Sequence, residues 1–368
     1  MNGYQDIFTL KLKVLGPVFV GSGRELSKKE YLFLSKSEIG VLDFPKFYNY
    51  IYGKGLGPQF ETFIIKDGKG ELANWLHYNR VQINDIKNCI KYTLPCGETS
   101  LSKGTKTQVM EFIKDSYGLP YIPGSSVKGM LRTILMMQRM MDVPGQCKGI
   151  KQDISSMLES NIKNGRNILS RENRAINIKA FNKLERDNAN LDDARNDEMA
   201  GLIIGDSKPL QISDLILVQK IERGTDGSEK SLNLLREAVK PGTAIECSVT
   251  IDTKLCSITR RDITDAVKAF SEIYNYCFIR KFKGFNDIKE DIVYLGGGSG
   301  FASKTVNYAL FDSVEGTRVN KEIFDKTNVP KNHKHETDII KGVSPHIIKC
   351  TRFDGKLFQM GKCRLSID

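Results

Sequence analysis

Two short segments bring backbone amides and positive charge to one place, the combination that a phosphate group requires. Gly124-Ser125-Ser126 leads into an apolar-periodic run and is followed by Lys128 and Arg132, one turn apart on a polar face. A glycine-led helix N-terminus beside a lysine aims N–H groups and the helix dipole at an anion. The same residues also describe an ordinary helix, capped by its serines and carrying two solvated cations, and this segment alone leaves both readings open. Gly296-Gly297-Gly298-Ser299-Gly300 gives up chain entropy for a backbone that a ligand or another strand can approach closely, and Lys304 follows four residues later. It is not a Walker A loop, because Ser303 stands where glycine must precede the lysine. Nor is it a dinucleotide fingerprint, since Phe301 occupies the place of the third glycine. A contact to phosphate or RNA backbone and a tight structural turn remain. Gly21-Ser22-Gly23 offers a third group of amides, expected in an exposed turn.

Catalytic chemistry is poorly provided for. A hydrolase needs an activated nucleophile or a metal cluster, and the chain has four histidines: His77, His333, His335 and His346. Only His333 and His335 are close in sequence, in a Lys- and Asn-rich stretch that reads as a solvated loop, with Glu336 and Asp338 nearby. Asp192, Asp193, Asp197 and Glu198 cluster without the glycine-turn loop of a calcium site and read as surface. The eight cysteines contain no C-x-x-C pair, and no G-x-S-x-G element occurs. No catalytic residue, metal ligand or cofactor is therefore assigned.

The chain has 368 residues, 40% of them apolar, enough to fold and more than one hydrophobic core usually holds. Its net charge of +11 favours a polyanionic partner. A bilayer is an unsuitable one, since apolar runs such as Leu215-Ile216-Leu217-Val218 are far too short to span it. The N-terminus lacks a signal peptide's basic flank and apolar core, so a cytoplasmic protein with reduced thiols is expected.

The elements that must hold the glycine segments follow from periodicity. Phe8, Leu10, Leu12 and Val14 alternate with polar residues as in a half-buried strand. Val127, Met130, Leu131, Ile134 and Leu135 form a helical stripe. Strands are expected at 202–204, 212–221, 244–251 and 292–295. A second helix, capped by Thr259, carries Ile263, Ala266, Val267, Phe270, Tyr274 and Cys277. Insertions are expected near 40–118 and 142–198. The first contains Phe47, Tyr48, Tyr50 and Tyr52, which read either as a base-stacking platform or, more simply, as a helix capped by Asp43 with a buried stripe. The second carries a basic run from Lys163 to Arg186, open to reading as an RNA contact or as a solvated face. The element order predicts an α+β protein of two ferredoxin-like, split βαβ units, residues 1–235 and 236–368.

Tyr121-Ile122-Pro123-Gly124-Ser125-Ser126-Val127-Lys128-Gly129-Met130-Leu131-Arg132 resembles the P-G-S-S-x-K-G-x-x-R signature of the RAMP superfamily, and Gly296 to Phe301 resembles its C-terminal glycine-rich loop. Residues 16–23 and 205–209 are similar to the first-strand segment and the central strand-turn of the same proteins. The tail, with Val343-Ser344-Pro345-His346 and Met360-Gly361-Lys362-Cys363, resembles the subunit that ends type III-A CRISPR effector complexes. The resemblance implies two RAMP modules, guide-RNA backbone contacts, docking on a neighbouring RAMP backbone subunit, and a part in guide maturation through host nucleases. Family subunits that cut target RNA carry an Asp soon after the first strand. Here Arg24-Glu25-Leu26-Ser27-Lys28-Lys29 has none, so that activity is not carried over. The resemblance leaves open a RAMP endoribonuclease that processes CRISPR RNA, or a different type III subunit.

Overall fold

The computed structural model describes residues 4–66, 70–98, 108–160, 167–187, 190–285, 291–327, 329–330 and 333–368. The alternating opening segment forms β1 (Gln5–Val14), with Phe8, Leu10, Leu12 and Val14 all buried. Its neighbours come from far along the chain: β10 (Ala244–Asp252) on one side and β14 (Lys362–Ile367) on the other, both antiparallel. β7 (Leu202–Ser207) pairs with β10, and β11 (Ile292–Tyr294) with β14.

Two helices cover this sheet. α4 (Gly124–Asp142) buries the whole expected stripe, Val127, Met130, Leu131, Ile134 and Leu135, and touches β7. α7 (Arg260–Cys277) packs against α4, β11 and β14. It begins at a reciprocal cap in which Thr259 accepts from the Asp262 amide and Asp262 accepts from that of Thr259, satisfying two otherwise orphan donors. The chain order β1, α4, β7, β10, α7, β14 with spatial order β14-β1-β10-β7 is that of a split βαβ, ferredoxin-like unit. This unit runs nearly the whole length of the chain. The expected boundary between residues 235 and 236 consequently falls inside a strand, β9 (Glu229–Val239), and β1 finds both its partners beyond it.

A second, six-stranded sheet has the order β13-β12-β8-β9-β6-β2. It comprises β2 (Gly21–Leu26), β6 (Gln108–Phe112), β8 (Leu215–Gly224), β9, β12 (Ile347–Phe353) and β13 (Lys356–Gln359). β6 and β9 run parallel and the other neighbours antiparallel. Like the first sheet, it takes strands from both halves of the chain.

The first insertion starts earlier than expected. β3 (Tyr31–Ser35), β4 (Glu38–Leu42) and β5 (Ile90–Pro95) form a small sheet with α1 (Phe44–Gly53), α2 (Gly57–Ile65) and α3 (Leu72–Tyr78), around a core of Phe47, Ile51, Phe60, Leu72 and Trp75. Asp43 caps α1 by accepting from the Lys46 amide at 3.2 Å. Phe47 turns inward against Phe60 and Trp75 and builds the core, Tyr48 and Tyr50 pack on it half-buried, and Tyr52 stays exposed, stacked on Tyr48.

The second insertion is part of the main body. α5 (Lys148–Glu159) and α6 (Ser170–Phe181) bury Ile154, Leu158, Ile176 and Phe181, and α8 (Asn307–Lys326) packs across α5 and α7. Residues 163–166 of the basic run lie outside the described residues. The acidic cluster is matched by cations: Asp192 pairs with Arg174, Asp193 with Arg195, Asp197 with Arg132 and Glu198 with Arg139. Among the described residues no helix is long and apolar enough to cross a membrane.

Candidate nucleic-acid interface

The glycine-rich loop leaves β11 and folds back onto the residues that follow β1. Gly296, Gly298 and Gly300 all adopt positive φ, +81°, +86° and +92°, where a side chain is strained. At Gly296 a Cβ would lie 2.2 Å from the Phe19 carbonyl oxygen, and the Gly297 amide donates to that oxygen at 2.7 Å. The Ser299 hydroxyl turns inward and donates to the Gly296 carbonyl at 3.0 Å. The first half of the loop is thus glycine so that another backbone can approach. The second half faces cations: a Cβ on Gly298 would stand 3.0 Å from Arg236 Nη1, and one on Gly300 would stand 4.0 Å from the Lys349 side chain.

Arg236 is the most informative of these cations. It lies on β9 opposite Val218 of β8, under the loop, with its guanidinium 5.3 Å from the centre of the Phe19 ring. Its Nε and Nη1 are buried and have no hydrogen-bond partner among the described residues, and desolvation lowers its pKa. A buried guanidinium without a carboxylate is costly, and such cost persists where an incoming anion relieves it. Lys304 reaches solvent, yet local desolvation and then the Arg236 charge lower its pKa.

Along the same sheet face, Lys349 of β12 and Lys220 of β8 approach a single carboxylate, Glu222, at 2.6 and 3.4 Å. Burial would raise the Glu222 pKa, but the hydrogen bond and charge of Lys349, with Lys220, hold it below its ordinary value. Lys220 is shifted down by burial and by Lys349. Lys220 and Lys349 share Glu222, while Arg236 and Lys304 form no ion pair among the described residues, leaving a local surplus of positive charge.

Two clefts flank this strip. One, of about 300 Å³, is lined by Ser299 and Gly300 of the loop, Phe301, Phe324, His333 and Lys349. The other, of about 430 Å³, is bordered by Lys220, Lys230, Lys334 and Lys341, and shares His333 and Ile347 with the first.

The other expected segments are placed differently. Gly124 opens α4, but the N-cap is Pro123 and makes no side-chain cap, so Ser125 and Ser126 lie inside the first turn rather than capping it. The Gly124 amide is taken by the Asp206 carboxylate at 2.8 Å, and a Cβ there would meet the Ile204 carbonyl oxygen at 2.1 Å. Glycine serves contact with β7 at this position, and a carboxylate already sits at the amide expected to receive phosphate. Arg132 is engaged internally: Nη1 lies 2.7 Å from Asp197, the guanidinium donates to Asn177, and it stacks 4.3 Å from the Phe181 ring. Lys128 is half-buried, with its pKa lowered by burial, and its ammonium has no hydrogen-bond partner among the described residues.

Gly21, Ser22 and Gly23 are not a turn. They begin β2, an exposed edge strand with a register shift between Gly21 and Glu25 and Gly23 at φ +87°. Ser22 contacts Glu111 at 3.2 Å. Arg236, Lys220 and Lys349 carry no local signal in the sequence, since only strand pairing brings Arg236 near Gly298, Lys349 near Gly300 and Lys220 beside Glu222.

Residues 11–341 match the family model of the RAMP superfamily. A relative from Mycobacterium tuberculosis, "CRISPR system Cms protein Csm5", is 30% identical over 408 residues, covering 100% of this chain and 99% of the relative. The chain belongs to the RAMP superfamily, among its Csm5 members. A Csm5 from Streptococcus thermophilus is 28% identical and covers 86% of this chain and 83% of its own. Two solved structures share the RAMP fold. One is a chain of a cryo-EM Csm-crRNA-target RNA ternary complex, with a TM-score of 0.70, 20% identity and coverage of 98% of this chain and 100% of that one. The other is the crystal structure of T. onnurineus Csm5, with a TM-score of 0.60, 19% identity and coverage of 96% and 99%.

Proposed function

We propose that this chain is a crRNA-binding subunit of a type III-A CRISPR effector complex, capping the 3′ part of the guide and supporting its maturation in antiviral defence. The observation that carries the reading is the Arg236 guanidinium beneath Gly298, which among the described residues has no carboxylate partner, in a strip with Lys220, Lys304 and Lys349. Positive charge and open backbone grip phosphates regardless of base, which suits a subunit that must accept any guide sequence. The relatives' name, a CRISPR system protein, and the crRNA and target RNA in the similar complex support the same partner class.

In this reading the subunit works in the cytoplasm as a scaffold without catalysis of its own, docks on a neighbouring RAMP backbone subunit and leaves trimming to host nucleases. The six-stranded sheet is then the diverged second RAMP module beside the ferredoxin-like one. The test is to purify the tagged chain from cells carrying a CRISPR array and sequence the bound RNA. Guides enriched at their 3′ parts, with any spacer sequence, are expected. Bound RNA that mirrors the total cellular pool would contradict the assignment.

A further inference from the structure

Beside the two clefts lies a cluster that the RNA-binding reading does not use. His335, Asp338 and His346 each present a ligand atom, and these atoms all lie within 4.8 Å of one another. The side chains are 10%, 0% and 7% exposed. Both imidazoles face the carboxylate through Nδ1: His335 lies 3.0 Å from Oδ2, and His346 is in close contact with Oδ1. Ser344 donates its hydroxyl to Oδ2 at 2.6 Å.

A carboxylate with no exposure requires a compensating cation, because an isolated buried charge is among the most costly features a fold can carry. Among the described residues Asp338 forms no ion pair with Lys or Arg, and its recorded charge partners are the two imidazoles. Compensation must come either from one protonated histidine or from a metal ion. Two imidazole nitrogens and one carboxylate oxygen, all within 4.8 Å of one another, form a borderline donor set suited to Zn²⁺.

The surroundings supply what such a site needs. The Ser344 hydroxyl orients the carboxylate, as an outer hydrogen bond does for a metal ligand. Ser344 is itself fixed, since its carbonyl accepts from Tyr308 at 2.7 Å and from Asn320 at 3.0 Å. His335 lines the smaller cleft and His346 the larger, so ion and water have a route in. The segment that carries the cluster has little regular structure of its own: a 3₁₀ turn at His335–Thr337, the four-residue α9 (Asp338–Lys341), and then a bend into β12. A metal clip would order it.

We propose that His335, Asp338 and His346 bind one Zn²⁺, with water from the clefts as the fourth ligand, and that this ion clips the 335–346 segment onto itself just before β12, beside the cationic strip. The role is structural, and it stands or falls separately from RNA binding.

The test uses the full chain, stripped with EDTA and titrated with Zn²⁺ alone and, separately, with Co²⁺. One Zn²⁺ per chain is expected, with a rise in melting temperature and a visible Co²⁺ spectrum of four-coordinate type. Asp338→Asn and His346→Gln should each bind at least about tenfold more weakly. His77→Ala, which alters an exposed histidine on α3, should bind like the wild type. Should either ligand variant fail to fold, the wild-type stoichiometry and Co²⁺ spectrum decide. A wild type without stoichiometric Zn²⁺, whose melting temperature ignores chelator, would overturn the proposal in favour of an imidazolium–carboxylate cluster. Equal Zn²⁺ affinity in folded Asp338→Asn would overturn it too.

Discussion

The Arg236 guanidinium lies 5.3 Å from the centre of the Phe19 ring, while the Phe19 carbonyl holds the Gly297 amide at 2.7 Å. A single residue beyond β1, Phe19, thus contacts both the glycine loop and the cation beneath it. A buried cation without a carboxylate lowers stability, so removing it should not unfold the protein. Arg236→Met is expected to leave the melting temperature unchanged or higher. The same variant should weaken RNA binding by about 1.5–3 kcal/mol, roughly tenfold or more, if a charge-assisted contact to phosphate is lost. Thermal melts and RNA titrations on the same preparation check both halves. A large loss of stability would show that Arg236 is structural.

Glycine is required in the loop for two different reasons, and substitution separates them. Gly296→Ala meets both a positive φ and the Phe19 carbonyl, so it should lose more than the roughly 1–3 kcal/mol of backbone strain. Gly300→Ala meets the same strain but only open space near Lys349, and should stay within that range. Chemical denaturation of the two variants gives the comparison, and equal losses would contradict the close approach at Gly296.

The two basic residues of α4 should part company. Arg132→Ala removes contacts to Asp197, Asn177 and Phe181 and is expected to destabilise by about 1–3 kcal/mol with little change in RNA affinity. Lys128→Ala leaves stability nearly intact. If its free ammonium meets a phosphate, the log–log salt slope of RNA binding falls by about 0.7. A drop in slope for Arg132→Ala at unchanged stability would reverse the assignment.

Local pattern made some of this legible and register hid the rest. The stripe Val127, Met130, Leu131, Ile134, Leu135 and the Thr259 cap can be read directly, because each involves residues within a few turns of one another. The glycine loop is visible by composition alone. Its purpose is not, because nothing in the local sequence says that Phe19 packs on Gly296 or that β9 runs beneath Gly298. Arg236 sits in Leu234-Leu235-Arg236-Glu237-Ala238, where a charged pair suggests a solvated surface. Glu237 is in fact fully buried, holding Tyr92, Lys114 and the Phe112 amide. Strand pairing between β1 and β14 joins the two ends of the chain across the expected division at 235, and no periodicity encodes it.

The purified chain should leave RNA intact. Labelled guide precursor incubated with and without Mg²⁺ or Mn²⁺ is expected to remain uncut, beside a His333→Ala/His335→Ala variant as control. Metal-dependent cleavage by the wild type that vanishes in the variant would contradict the scaffold reading. Trimming that is equal in both and disappears after high-salt repurification would mark a co-purified host nuclease.

The most direct test of the central claim is the salt dependence of single-stranded RNA binding, measured for the wild type and for a variant with Lys220, Arg236, Lys304 and Lys349 all changed to Gln. About four neutralised phosphates at roughly −0.7 each give an expected log–log slope near −3, the same for unrelated RNA sequences. The variant should bind weakly with a slope close to zero. A wild-type slope that is already flat, or a folded variant that keeps the wild-type slope, would contradict the assignment of this strip as the RNA interface.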